Sequence, residues 1–363
     1  MKLHSTAIAF TLIAWAAPTS FAWQEEGELE IESFAEEETD EWAALDLELQ
    51  SFEQLTLGTN ESSAEIWGYV RGNVFYQDVT NSGAMHLDNL RVNLVGNLSD
   101  YNYRLTVDLA SGKLQMEDAW VSTNLGEQFN FTLGKFKIPL LRSGMVEANE
   151  TLFIARTRNG IFYSQRDTGG MFNGDHGRFH WRLSVQNGQN GVAERQLTTL
   201  HTSLNVMGEA EKSYEGAFGS DGSTSLTVGA GVSDDDTASH GTAVAFEANL
   251  VTGRFSAQAE WVKYGSGYTL IPDMEQRGDT SPWSLTTSYM LVPDKYEVAL
   301  RYENFDDASA PLDFERRTFS AGINRYIEGH AIKWQFNIAA AHKGGNSDGQ
   351  HDLLAALGVT LSF

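Results

Sequence analysis

From residue 65 to Phe363 the chain alternates apolar and polar positions with a period of two, in segments separated by Gly, Asn, Asp and Pro clusters. In 66–78, Ile66, Val70, Val74 and Tyr76 fall on one face and Arg71, Asn73 and Gln77 on the other. In 87–98 the apolar face is Leu90, Val92, Leu94 and Leu98, opposite Asn89, Arg91, Asn93 and Asn97. In 101–109, Tyr101, Tyr103, Leu105, Val107 and Leu109 oppose Asn102, Arg104, Thr106 and Asp108. Successive side chains of a strand point to opposite faces, so each segment reads as a strand with one greasy and one wet side. Further strands are predicted at 113–124, 129–138, 168–173, 179–187, 197–206, 226–233, 242–251, 255–264, 283–291, 296–304, 317–326, 332–343 and 353–363, sixteen in all. A single-chain bacterial barrel requires an even number.

The spacing of the connections supports a barrel over a sandwich. Short turns are predicted at 98–101, 126–128, 173–178, 252–254, 293–295 and 328–330, and they alternate with longer connections at 139–167, 187–195, 265–281, 305–315 and 343–351. Membrane barrels show this asymmetry between periplasmic turns and external loops. One segment does not fit. The acidic stretch 208–222 is long where the count demands a short turn, which puts the strand limits there in question. Pro139, Pro272, Pro282, Pro293 and Pro311 all fall in connections or at strand ends, where a missing N–H costs no ladder bond.

Ahead of the barrel, residues 1–22 have the form of a signal peptide: Lys2, an apolar run from Ala7 to Ala17, then Ser20-Phe21-Ala22. Residues 23–62 hold 14 of the 49 acids and no Lys or Arg, and read as an acidic periplasmic extension. Trp42, Leu45, Leu49, Phe52 and Leu55 recur there at helical spacing and predict a short surface or partner helix. Residues 63–363 form the barrel. The fold class expected is all-β, a sixteen-stranded antiparallel transmembrane β-barrel with an inward third loop, preceded by signal peptide and extension.

A barrel this wide is not filled by its side chains, so a polar inner face implies water in the lumen. That face carries Arg71, Arg91, Arg104, Asp118, Arg182, Gln186, Glu247, Gln258, Glu260, Glu297, Arg301, Glu303, Lys333 and Gln335. The connection 139–167 brings Arg142, Arg156, Arg158 and Arg166 together with Glu147, Glu150 and Asp167, next to Lys135 and Lys137. If it folds inward it narrows the bore and presents guanidinium groups to a permeating anion, and Arg suits that task because its planar fork pairs bidentately with carboxylate or phosphate. Lys135 and Lys137 continue the apolar face of Phe129, Phe131 and Leu133, so they require a register change near Gly134 or a position above the membrane band.

Composition removes other classes. With no Cys there is no disulfide framework and no thiolate metal site. The net charge of -24 speaks against nucleic acid, and most of the excess sits ahead of the barrel. Asp234, Asp235 and Asp236 with His240 read as a solvated loop ahead of a metal site, and no cofactor is expected. His180, His201, His240, His330, His342 and His351 are scattered without a companion Ser motif, so the chain is read as no enzyme.

Asp118-Ala119-Trp120-Val121, then Phe131-Thr132-Leu133-Gly134-Lys135-Phe136-Lys137-Ile138-Pro139, Thr168-Gly169-Gly170-Met171, Gly174 and Val185-Gln186-Asn187-Gly188 resemble the phosphate-selective porin O and P family. The resemblance implies a homotrimeric channel in outer-membrane lipid that passes small anionic or neutral solutes, phosphate or polyphosphate among them. Lys135, Lys137 and Pro139 match the family's strand-into-loop motif; Arg71, Arg91 and Arg104 match only as lumen-facing bases. Glu247, Glu260, Glu297 and Glu303 depart from an anion selector, because unpaired they would repel phosphate. The function expected is passive diffusion of small hydrophilic solutes with anions favoured. A weakly selective general channel, a barrel enzyme and a soluble β-sandwich are the alternatives.

Overall fold

A computed structural model describes residues 62–363 apart from 79, 127, 189–195, 209–211, 236–240, 266–279, 308–313 and 344–350. The signal peptide and all but the last residue of the acidic extension lie outside the described residues, as do Asp236 and His240. The strands are β1 (Ser62–Gln77), β2 (Ser82–Leu98), β3 (Tyr101–Asp108), β4 (Gln115–Asn124), β5 (Phe129–Lys137), β6 (Arg166–His176), β7 (Phe179–Gln186), β8 (Leu197–Met207), β9 (Thr224–Asp235), β10 (Gly241–Thr252), β11 (Phe255–Tyr264), β12 (Trp283–Val292), β13 (Tyr296–Asp307), β14 (Phe314–Glu328), β15 (Ile332–Lys343) and β16 (His351–Ser362). Every strand pairs antiparallel with its sequence neighbours, and β1 pairs with β16 from Tyr69↔Ser362 to Gln77↔Leu354. The sheet therefore closes, and no row of backbone donors and acceptors is left at an edge.

The two faces are sorted inside out relative to a water-soluble fold. Val228, Val232, Val244, Phe246, Leu285, Leu300 and Leu357 are 38–53% exposed, while the alternate positions Thr227, Ser233, Gln258, Ser284, Glu297 and Arg301 are buried. Apolar residues thus cover the outside and polar ones line the bore, the arrangement a lipid surrounding requires. Aromatic rings meet across strands on the outer face, Phe246 with Trp261 at 5.8 Å and Trp283 with Tyr302 at 5.1 Å.

Short turns gather at the end where β1 begins. Ser99, Gly177, Gly253, Asp294 and Gly329 take positive φ in five of them, as tight reversals between twisted strands demand. At the same end the seam is finished by the C-terminal residue. Gly68 N donates to Phe363 O at 2.8 Å and Phe363 N to Gly68 O at 2.9 Å. A Cβ on residue 68 would approach the Arg91 carbonyl oxygen to 2.5 Å and the Phe363 ring to 2.6 Å, so glycine is needed there.

The 208–222 segment is a genuine exception to the short-turn rule. β8 stops at Met207 and β9 starts at Thr224, so the strand limits read from the pattern were near the mark and the connection itself is long. Its reason is tertiary: the described part reaches lumen side chains and the long β5–β6 connection, as the contacts below show.

Candidate pore constriction and anion site

The connection 138–165 contains two helical turns, α1 (Arg142–Met145) and α2 (Arg158–Tyr163), and a 3-10 turn at Ala148–Glu150. Ile138, Leu140, Leu141 and Tyr163 form a buried apolar cluster with Leu197, Ala243, Ala245, Val262, Tyr264 and Phe305. Leu152 and Phe153 form a second with Ala299. These strand residues occupy the lumen-facing parity, so apolar burial holds the segment against the inner wall.

Irregular backbone brought out of water must find partners for its N–H and C=O groups. The wall supplies them. Glu247 Oε2 accepts from Arg142 N at 2.7 Å, Glu260 Oε1 from Ser143 N at 3.1 Å, Glu303 Oε1 from Arg158 N at 2.8 Å and Asn337 Oδ1 from Ile154 N at 2.8 Å. On the carbonyl side, Lys333 Nζ donates to Asn149 O and Thr151 O at 2.9 and 2.8 Å, Arg301 Nη1 to Ala155 O at 2.7 Å and Arg71 Nη1 to Ala148 O at 2.7 Å. Glu297 is committed as well: it accepts from Ala217 N, Ser288 and the Tyr326 hydroxyl. The four wall carboxylates that depart from an anion selector are therefore engaged as hydrogen-bond acceptors by the two connections and by neighbouring wall side chains.

From the short-turn end, the 208–223 connection meets the same segment. Arg142 Nη2 donates to Lys212 O and Tyr214 O at 3.0 and 2.6 Å, Leu152 N to Glu215 Oε2 at 2.8 Å and Glu215 N to Glu150 O at 3.1 Å. Glu215 is 3% exposed and 3.7 Å from Arg301 Nη2. No local pattern singles out Glu215; the only trace of its role in the sequence is a connection too long for its place in the count.

The ten candidate bases separate by partner. Arg91 pairs with Asp108 at 3.0 Å, Glu117 at 3.6 Å and Glu147 at 3.5 Å. Arg104 and Lys137 reach the same Glu147 at 3.3 and 3.5 Å. Burial disfavours charge on Glu147, but Lys137, Arg104, Arg166 and Arg91 outweigh it and hold its carboxyl at about 2. Arg166 pairs with Glu117 at 2.6 Å and with Asp118 at 3.1 Å, and Arg71 lies 3.4 Å from Asp88. Arg142 donates Nη1 to Gln258 Oε1 at 2.9 Å, so it fastens the connection to the wall. Arg182 Nη1 points to Met145 Sδ at 3.2 Å, and Arg158 lines a lumen cavity. Gly134, immediately before Lys135, takes φ 132°. Beyond it Lys137 turns to Met145 O and Val146 O at 2.8 and 3.1 Å, whereas Lys135 donates to Met116 O at 2.7 Å on the exposed side, away from these contacts.

Arg156 differs from the others. Its guanidinium donates to Ser143 O at 2.6 Å and to Val146 O, both neutral carbonyls, and among the described residues no carboxylate lies within ion-pair distance of it. Burial lowers it to about 10, still charged at neutral pH. Arg156, Arg71, Arg91 and Arg166, with Asn89 and Ser164, line a cavity of about 270 Å³ that no carboxylate residue borders. A second cavity of about 470 Å³ adjoins it, sharing Ile154, Ala155, Arg156 and Ile161.

A closed sixteen-stranded barrel with a polar bore and a long connection fastened across its inner wall has the architecture of a porin. The chain belongs to the family described as Phosphate-selective porin O and P, which it matches over residues 65–358. Among solved structures it is similar to an anion-selective porin from Comamonas acidovorans, at 13% identity over 84% of this chain and 100% of that one, with a TM-score of 0.58. OmpT of Vibrio cholerae in a trimer form is similar at 11% identity over 84% and 100%, TM-score 0.58. The outer-membrane channel DcaP of Acinetobacter baumannii is similar at 13% over 83% and 97%, TM-score 0.56. At such identities the likeness speaks for the fold. An uncharacterized protein of Aquifex aeolicus is 33% identical over 95 residues, which is 25% of this chain and 21% of that protein.

Proposed function

We propose that the chain is an outer-membrane channel for passive diffusion of small hydrophilic solutes and that it favours anions. The observation that carries the preference is Arg156, which among the described residues has no carboxylate within ion-pair distance, in a cavity with three further guanidiniums. At about 4 Å, two unit charges interact by roughly 4 kcal/mol near a protein surface. Asp88 lies behind Arg71, Asp108 and Glu117 behind Arg91, and Glu117 with Asp118 behind Arg166, so those three contribute mainly as donors. Arg156 supplies the net attraction that an anion needs as it sheds water. The connection 138–165 acts as the inward loop that narrows the bore, and Arg142, Lys137 and Arg104 serve to hold it.

Family membership and barrel neighbours support placement in the outer membrane. Residues 1–22 direct export and are removed, 23–62 remain in the periplasm, and outer-membrane lipid surrounds the barrel. The trimer form of the similar Vibrio cholerae protein supports association of three copies.

Reversal potentials of the reconstituted channel in a potassium chloride gradient test the reading. The wild type is expected to pass chloride over potassium, and Arg156→Gln to lose several-fold of that preference with conductance retained. A reversal potential unmoved by the substitution rejects Arg156 as the selecting group.

A further inference from the structure

We propose that the larger lumen cavity selects organic monocarboxylates with an apolar body of about benzoate size over small anions of the same charge. The inference rests on the anion-channel reading and names the substrate class of that site.

The first support is a break in the alternation. A wetted bore calls for polar residues at every second position of a strand, yet β15 carries Ile338-Ala339-Ala340-Ala341 and β16 carries Leu353-Leu354-Ala355-Ala356-Leu357, apolar on both faces. Ile338, Leu353 and Leu357 are on the exposed outer face. Ala339, Ala341, Leu354 and Ala356 point the other way and line the 470 Å³ cavity. The second support is what faces them. The fastened connection contributes Phe153, Ile154 and Ile161, and β1 contributes Phe75.

Phe153, Ala341 and Ala356 are buried, but the rest of this apolar surface is not consumed by packing. Ile161 is 48% exposed, and Ile154, Leu354 and Phe75 are only partly buried. Apolar area left facing water in a bore is unfavourable by about 25 cal/mol per Å² and becomes favourable once a solute covers it. The third support is the position of the charge. Ile154 and Ile161 border both cavities and so does Arg156, so a ring resting on the isoleucines sets its carboxylate toward that guanidinium. The volume is in the range of sites for small organic ligands. Glu303 also borders the cavity but is committed to Arg158 N, and the remaining acid, Asp352, is 7% exposed.

The test is block of chloride current through the full-length channel in a planar membrane, with benzoate or acetate added on the side of the long connections. Benzoate is expected to block at a concentration at least about tenfold below acetate, the size of effect that covering a few tens of Å² of apolar surface provides. Ile161→Ser and Leu354→Ser should each bring the two concentrations together. Equal block by benzoate and acetate in the wild type, with chloride preference intact, overturns this inference and leaves the anion channel standing. Loss of chloride preference in the wild type overturns both. A benzoate advantage that survives in both variants overturns the assignment to this cavity.

Discussion

At the scale of single residues, the decisive question is which charges are spent on the protein and which are left for a solute. Glu247, Glu260 and Glu303 accept from backbone N–H groups that open α1 and α2, where a carboxylate is favoured by hydrogen bonding and by the local dipoles alike. Glu147 sits among Arg91, Arg104 and Lys137 and ties the middle of the loop to the wall. Its carboxyl is held at about 2, below the unfolded value of about 4.3, so its contribution is complete above pH of about 4.3 and is lost as pH falls from there toward 2. Channel recordings are therefore expected to show a quiet open level at pH 5 and increasing noise only below about 4. For Glu147→Gln the noise should already be present at pH 7. Arg156 has the opposite character, as a charge whose hydrogen bonds go to carbonyls and which Glu215 and Glu147 favour only from beyond ion-pair distance.

Among elements, the strands were legible in the chain and the loops were not. Alternation placed all sixteen strands within about five residues at each end; β2, read as 87–98, starts at Ser82, and the sixth, read as 168–173, runs from Arg166 to His176, where a Gly-rich sequence offers little contrast between faces. Lumen bases were legible by parity in the same way. Their pairing was not, because partners such as Arg142 and Gln258 are separated by 116 residues and meet only through the fold of the connection. The inward course of the 208–223 segment was likewise hidden, apart from its length. Replacing residues 212–222 with a two-residue turn removes Glu215 from Arg301 and Leu152, and Lys212 and Tyr214 from Arg142. Single-channel conductance is expected to rise, since material leaves the bore, and open-channel noise to rise with it. A conductance equal to wild type would mean that the segment does not obstruct the path.

For the whole molecule, closure of the sheet is the event that separates a membrane channel from an aggregating ribbon. The seam brings residues 62–77 to the end of the chain, the longest sequence separation in the fold, so local signals contribute little to it. Gly68 and Phe363 complete it at the short-turn end. Gly68→Val puts a side chain against the Arg91 carbonyl of β2 and into the Phe363 ring, so the folded fraction after refolding into detergent should drop, read by the gel-mobility difference between heated and unheated samples. An unchanged folded fraction would show that both the ring and the β1–β2 backbone can give way there.

The fastening of the 138–165 connection along both its donors and its acceptors has a mechanical corollary. A strut anchored at Arg142, Leu152, Ile154 and Arg158, and again at Ala148, Asn149, Thr151 and Ala155, cannot swing as a flap unless many anchors release together. Traffic through this bore is then governed by the side chains the strut presents, such as Ile161 and Arg156, and a new cargo is reached by exchanging those side chains while the beam beneath them stays in place.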